Sequence, residues 1–341
     1  MSELLTQSID RLADRYDLTE EESAAVLAEI MGGEISDVQI AGFLVALRIK
    51  GETVEELTGL ARTMRALSSQ VHAKHHDLLD TAGTGGGRRT FNVSTTAALI
   101  AAGAGCFVAK HGARSATGIS GSADLLEALG ARIDLTPEAV ALCIDEVGFG
   151  FMYAPSHHPA TARVVSVRKE LKVRTTFNFL GPLTNPAGAS RQLLGCSNPN
   201  QLPQLAGALA LLGTTHALVV CSEDGLDELS ISAATQVIEV VGDELRAFVV
   251  EPEDVGLSRH QPDRVPGGDP TENAATTRAI FAGEQGAARD LAVFNAGAAI
   301  YAAGGAESLS AGVIAAQQAL DSGAAERTVE TFVQRTVELA G

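Results

Sequence analysis

The sequence predicts an α/β protein, with a small helical domain over residues 1–74 and a larger domain over 75–341 whose central, mostly parallel sheet is flanked by helices. Two observations carry this prediction. Three spacings of the capping-box type, each followed by an apolar helical period, fall within the first 70 or so residues. From Asp77 onward, short apolar strands alternate with Ala- and Leu-rich helical stretches. At 341 residues the chain is long enough to bury a large core.

In chain order, the first elements are helices. Thr19 with Glu22, Ser36 with Gln39 and Thr53 with Glu56 have the reciprocal capping spacing. The apolar periods behind them are Ala25, Leu27 and Ile30; Ile40, Phe43, Leu44 and Leu47; and Leu57, Leu60 and Met64. These predict a small bundle, linked to the rest by the polar stretch Ser68 to His76. Candidate strands follow at Leu78 to Ala82, Phe107 to Ala109, Ala131 to Leu135, Leu193 to Ser197, Ala217 to Cys221, Gln236 to Val241 and Leu245 to Val250. Asn178 to Pro186 reads as a fixed loop, and Ser258 to Asp269, rich in Pro and Gly, as a mobile surface loop.

Between the first strand and a buried-looking helix (Ala97 to Ala102) lies Gly83-Thr84-Gly85-Gly86-Gly87, followed by Arg88 and Arg89 and then the polar residues Thr90, Asn92, Ser94, Thr95 and Thr96. Glycines let backbone N–H groups approach an anion that side chains would keep away, and a helix N-terminus adds the positive end of its dipole. The order strand, glycine loop, helix suits phosphate, although the same order also makes a plain tight turn. Neither the GxxxxGK[ST] pattern nor a clean GxGxxG is present, which argues against an ordinary P-loop NTPase or a dinucleotide fold.

Charge narrows the partners. With 42 acidic against 25 basic residues the formal net charge is −17, a balance that repels nucleic acid and anionic membranes. An anionic substrate must then be held by a few local cations, N–H groups or a metal. Cys106, Cys143, Cys196 and Cys221 are far apart in apolar contexts and read as buried thiols of a reducing compartment. The N-terminus has neither a basic nor an apolar leader region, and no run of 18 apolar residues occurs, so a cytoplasmic, soluble protein is expected.

Three more clusters place polar chemistry near strand ends. Lys110-His111-Gly112-Ala113-Arg114-Ser115 follows one strand. Ser120-Gly121-Ser122-Ala123-Asp124 opens a helix, where Ser122 could bind an anion or simply cap. Asp224-Gly225-Leu226-Asp227-Glu228 follows another strand, and adjacent carboxylates there suit a hard cation such as Mg²⁺ that also takes substrate phosphates. Each cluster alone is compatible with an ordinary turn; together they describe a phosphate loop, cations and metal carboxylates on one sheet.

These motifs, with Val167-Arg168-Lys169, the run Phe177 to Ala187, Arg289-Asp290-Leu291 and Asn295 to Ala298, occur in the order of the anthranilate phosphoribosyltransferase family, which the chain resembles over most of its length. The resemblance implies a nucleoside phosphorylase/phosphoribosyltransferase-like fold, with part of 165–190 joining the small domain, and a homodimer through that domain. It implies Mg²⁺-dependent transfer of phosphoribose from 5-phosphoribosyl 1-diphosphate to the amino group of anthranilate, releasing pyrophosphate, in tryptophan biosynthesis. It implies donor binding by Gly83, Thr84, Gly86, Gly87, Thr90, Asn92, Ser94, Thr95, Lys110 and Ser122. Acceptor binding falls to Gly83, His111, Ala113 and Arg168, and the metal to Ser94, Asp227 and Glu228. No covalent nucleophile is needed.

Two departures from the family pattern stand out. The Asp that usually follows the first glycines is missing from a loop one residue shorter, where Arg88 and Arg89 add positive charge. Ala113 replaces an Asn expected to touch the aromatic substrate, and losing one hydrogen bond to a charged group costs about 10- to 150-fold in affinity. Two alternatives therefore stand beside the anthranilate reaction: the same donor with another aromatic acceptor, and a non-catalytic paralogue binding nucleotide or nucleic acid. The acidic charge disfavours the second.

Overall fold

A computed structural model describes residues 2–115 and 119–340. Four helices come first: α1 (Glu3–Ala13), α2 (Glu20–Met31), α3 (Asp37–Lys50) and α4 (Val54–Ala66). The reciprocal capping boxes at Thr19/Glu22 and Thr53/Glu56 are both formed. The third is half a box. Ser36 Oγ accepts from Gln39 N, but the Gln39 amide turns to α1, donating to Ser2 O and Thr6 Oγ1.

A seven-stranded sheet follows, made of β1 (Leu79–Asp80), β2 (Val108–Gly112), β3 (Phe149–Tyr153), β4 (Arg191–Gly195), β5 (His216–Ser222), β6 (Thr235–Val241) and β7 (Glu244–Val250). The spatial order is β3-β2-β1-β4-β5-β6-β7; the first five neighbours run parallel and β6 and β7 antiparallel. Helices α5 (Val93–Gly103), α6 (Ser122–Leu129) and α7 (Pro137–Val147) connect β1, β2 and β3. Then come α8 (Ala154–His157), α9 (Ala162–Leu171) and α10 (Phe177–Leu183) before β4, and α11 (Leu202–Leu211) between β4 and β5. The chain closes with α12 (Pro270–Phe281), α13 (Ala287–Ala302), α14 (Leu309–Asp321) and α15 (Ala324–Leu339). Helices α5 and α13 are buried nearly all round, which is why their sequences are runs of Ala with few charges.

Two apolar cores lie on the two faces of the sheet. One gathers α5, α13 and α15 against β1–β3. The other joins α1–α4 to Val164, Val167, Phe179, Leu180 and Leu183 of α9 and α10, and to α11 and β5. All four cysteines are buried free thiols. Among the described residues no helix is long and apolar enough to cross a membrane.

Three elements differ from the sequence expectation. Ala131 to Leu135 is not a strand: Ala131, Ile133 and Leu135 are buried in alternation, yet no neighbouring strand pairs with them, and Arg132 N instead donates to Thr336 Oγ1 of α15. Asn178 to Pro186 is not a loop throughout, because α10 occupies most of it even though Pro182 lies inside the helix and removes one backbone donor. Strand β3 was not expected; it starts directly after Gly148, whose left-handed conformation (φ 81°) ends α7. The segment Ser258 to Asp269 is anchored to the glycine loop, as described next.

Candidate active site

The carboxyl ends of the parallel strands open onto a cavity of about 680 Å³. Its floor begins where β1 ends. Asp80, buried, accepts from Thr81 N and His111 N through Oδ1 (2.7 and 3.2 Å) and from Asn185 Nδ2 through Oδ2 (2.8 Å). Burial pushes its pKa up, against the pull of Lys110.

Lys110, on β2 and 1% exposed, donates to Thr81 Oγ1 (2.9 Å) and reaches Ser94 Oγ at 3.5 Å. Burial lowers its pKa to about 8, while Asp80 and Glu228 oppose that shift, so the ammonium is retained at neutral pH.

The glycine loop spans the cavity between β1 and α5. Gly85 and Gly86 have φ of 65° and 89°, values only glycine takes freely. Thr84 N donates to Gly195 O (2.8 Å) and Arg88 N to Gly225 O (2.8 Å), so the loop is stitched at both ends, to the last residue of β4 and to the turn after β5. Arg88 pairs with Asp224 (3.2 Å) and donates to Pro262 O (2.8 Å), and Gly267 lies against the Thr90 backbone; the segment Ser258 to Asp269 thereby seats on the loop.

At α5 the N-cap is Asn92, but its side chain caps nothing. It donates to Ser120 O and accepts from Ser120 Oγ and Asn273 Nδ2, tying three elements together. Val93 N donates to Phe91 O, while the N–H groups of Ser94 and Thr95 have no capping side chain at this end of the helix, which Ser94 places on the cavity, as anion binding requires. At α6 the cap is Gly121, whose N–H is taken by Asp124 Oδ2 (2.8 Å), and Ser122 is the first helical residue, on the cavity wall.

Asp227 and Glu228 stand half-buried on the same wall, in the turn after β5. Burial raises the pKa of both. For Asp227 the backbones of Gly85 and Gly87 and the charge of Arg174 pull the other way; for Glu228 the neighbouring Asp227 adds to the rise, and Lys110 and Arg88 oppose it. Glu228 Oε2 is sealed from solvent with no hydrogen-bond partner among the described residues. The next residue is fixed by Asn295 of α13, which accepts from Leu229 N (3.0 Å) and donates to Leu229 O (2.9 Å).

No group of three or more His, Cys, Asp and Glu that could hold a metal unaided occurs among the described residues. An orphaned Glu228 carboxylate oxygen next to the carboxylate of Asp227, on a cavity that Ser94 also lines, nevertheless fits Mg²⁺, which takes one or two carboxylates and completes its shell with substrate phosphates and water.

The structure brings Gly83, Thr84, Gly86, Gly87, Thr90, Asn92, Ser94, Lys110, His111, Ala113, Ser122, Asp227 and Glu228 onto one cavity. Two expected residues are set back. The Thr95 hydroxyl is buried in α5 without a partner, and Arg168 lies behind Asn178, donating to its Oδ1 (3.2 Å) with the guanidinium over the Phe177 ring.

Sequence reasoning missed Asp80, Asn185 and above all Arg174. From the loop before α10, Arg174 donates to Thr84 O (3.3 Å) and Gly85 O (3.0 and 3.1 Å), and its own carbonyl accepts from Arg48 of α3 (2.7 Å). It thus links the helical layer to the glycine loop.

His111, His157 and His158 form a buried group beside the cavity, each with an unpartnered Nε2. Burial pushes His111 down to about 3 and His158 to about 4, and lowers His157 as well. All three are neutral in the fold. An unfolded imidazole takes up its proton near pH 6.5, so the unfolded chain binds more protons below that value and stability falls as pH falls. For His111 and His158 the loss is about 2 kcal/mol each between about pH 6.5 and about pH 5. His158→Gln is accordingly expected to flatten the acid limb of a plot of Tm against pH. A variant curve parallel to that of the unmodified protein would mean that His158 is protonated in the fold.

Comparison with known proteins gives a consistent picture. Residues 6–68 match the glycosyl transferase family helical bundle domain, and residues 75–326 the glycosyl transferase family a/b domain. The chain is 50% identical over 330 residues to the anthranilate phosphoribosyltransferase of Symbiobacterium thermophilum, covering 96% of this chain and 97% of that protein. It is 49% identical to that of Rubrobacter xylanophilus, covering 99% of each. Among solved structures, anthranilate phosphoribosyltransferase from Thermus thermophilus superposes with a TM-score of 0.91 at 45% identity, covering 96% of this chain and 99% of that one. The Saccharomyces cerevisiae enzyme in complex with PRPP and Mg gives 0.90 at 28% identity, covering 99% of each.

Proposed function

The chain belongs to the anthranilate phosphoribosyltransferase family of glycosyl transferases, and on that premise we propose how its residues divide the work. The reaction is transfer of phosphoribose from 5-phosphoribosyl 1-diphosphate to the amino group of anthranilate, with release of pyrophosphate, a Mg²⁺-dependent step of tryptophan biosynthesis. The observation that carries the assignment of roles is the meeting of a glycine loop, an uncapped helix N-terminus, a buried ammonium and two carboxylates on one cavity.

The N–H groups of the loop and of α5, with Gly83, Thr84, Gly86, Gly87, Thr90, Asn92, Ser94 and Ser122, hold the donor, Thr95 contributing its backbone N–H alone because its hydroxyl is buried in α5, and Lys110 supplies a fixed positive charge beside it. Ser94, Asp227 and Glu228 hold Mg²⁺, which when bound takes up negative charge on the diphosphate as it leaves. Neutral His111, Gly83, Ala113 and Arg168 form the acceptor side, positioning the amine at C1; no side chain forms a covalent bond. Residues 1–74 with part of 165–190 make one domain and 75–341 the other, and a cytoplasmic homodimer joined through the helical domain completes this reading.

The decisive experiment follows the loss of anthranilate fluorescence with purified protein, donor and Mg²⁺, and reads pyrophosphate in parallel. Equal loss of anthranilate and gain of pyrophosphate supports the assignment; pyrophosphate formed only with another aromatic acid supports a changed acceptor. The second outcome has one observation in its favour, since Ala113 is exposed on the cavity and offers a methyl group in place of an amide. Arg168→Ala is expected to raise the anthranilate KM by about 10- to 100-fold, the value of a charge-assisted hydrogen bond to a carboxylate, and to leave the donor KM unchanged. An equal rise in both constants would make Arg168 a support for Asn178 and α10 rather than an acceptor ligand.

A further inference from the structure

Five Lys and Arg side chains border the cavity, and four of them are engaged within the protein. Arg88 pairs with Asp224, Lys110 donates to Thr81, Arg114 pairs with Asp124 and Glu127, and Arg174 holds the carbonyls of Thr84 and Gly85. The fifth, Arg89, makes no hydrogen bond and no ion pair among the described residues, and its exposed side chain borders the same cavity. Its backbone is nevertheless firmly placed. Arg88 N is held by Gly225 O, and Thr90 lies under Gly267, so both neighbours are anchored while the guanidinium between them stays available.

In a chain of net charge −17 with 42 acidic residues, a cavity-lining arginine that pairs with none of them is placed for an external anion. The anion that reaches this end of the glycine loop, on the reading of the site proposed above, is the diphosphate of the donor.

We infer that Arg89 is a diphosphate-binding residue, its guanidinium taking phosphate oxygens in a two-pronged contact that holds both the donor and released pyrophosphate, with or without metal. The inference rests on that reading for the identity of the donor. A planar fork of N–H donors fits phosphate oxygens, and no desolvated partner has to be given up, because the side chain has none. Part of the leaving-group charge is then met by a residue that cannot be lost to chelation, so the protein should bind pyrophosphate measurably in EDTA.

The test is calorimetric titration of the full chain with inorganic pyrophosphate in EDTA and in Mg²⁺, together with steady-state kinetics. Arg89→Ala is expected to weaken metal-free pyrophosphate binding by about 10-fold or more and to raise the donor KM similarly, with the anthranilate KM unchanged. Arg89→Lys should fall between, since it keeps the charge and loses the fork. Arg259→Ala, which removes the same charge from an exposed pair with Glu251 and Glu253, should match the unmodified protein. Thermal unfolding of Arg89→Ala should be unaltered, as befits an exposed side chain without partners. Equal pyrophosphate affinity for Arg89→Ala and the unmodified chain would overturn the inference, as would a rise in the anthranilate KM alone. If the chain consumes no anthranilate yet binds pyrophosphate through Arg89, the proposed acceptor is wrong and the inference stands. If Arg89 is indifferent while anthranilate is consumed, only the inference fails.

Discussion

Asp227→Asn combined with Glu228→Gln is expected to lower turnover on the order of 10³-fold while the protein stays folded, because metal-held charge at a leaving group is worth several kcal/mol of barrier. The carboxylates sit side by side in a wall that penalises their charge, and Glu228 Oε2 has no partner there. The backbones of Gly85 and Gly87, with the charges of Arg174, Lys110 and Arg88, offset only part of that cost, so the amides, which keep volume and remove charge, should leave Tm near that of the unmodified protein or raise it. Steady-state rates at saturating donor, with Tm measured on the same samples, read both halves of the expectation. A double variant that keeps the unmodified rate at low Mg²⁺ would remove the carboxylates from the metal role.

Gly195→Ala should be the most damaging single methyl group near the site. A Cβ at Gly195 would lie 1.6 Å from Asp227 O and 2.8 Å from Asp227 C, and Gly195 O is also the acceptor for Thr84 N at 2.8 Å. The neighbours are backbone on both sides, so no rotamer change relieves the clash. Overpacking of this kind costs about 3 kcal/mol or more, and the displaced atoms belong to the glycine loop and the acidic turn themselves. We expect a lower midpoint in urea together with a raised donor KM. Unaltered stability with an unaltered donor KM would mean that the acidic turn has room to retreat from β4.

Much of this site was legible before the structure because its chemistry is written in contiguous runs. The glycine loop and Asp227 with Glu228 each follow a strand that apolar composition marks, Lys110 directly follows the apolar run Phe107 to Ala109 within β2, and the strand ends bring them together. Capping side chains likewise marked α2 and α4, since a cap is a local hydrogen bond. What was not legible depends on distant partners. Asp80 gains its role from Asn185, 105 residues away, and Arg174 from carbonyls 89 and 90 residues away. Helix α10 hid behind an Asn, a Gly and a Pro, residues of turns, and is stabilised by Phe179, Leu180 and Leu183 facing the helical layer. Ala131 to Leu135 shows the reverse error. Its alternating burial was real, but alternation reports which side is covered, and a strand needs a neighbour in register as well.

The way α9 and α10 complete the core of the N-terminal helices has a consequence for the order of events during synthesis. Helices α1–α4 leave the ribosome first, yet the apolar side chains that close over α3 and α4 come from α9, α10 and α11, roughly a hundred residues later. The N-terminal helices must therefore wait, half covered, while the strands β1 to β3 are made, and the long loop that finally closes them is a slow, entropy-limited search. Truncation at the linker after α4 would strand that unfinished surface in water, so a chain cut there is expected to expose the apolar faces of α3 and α4 and to bind a hydrophobic dye that the full chain does not.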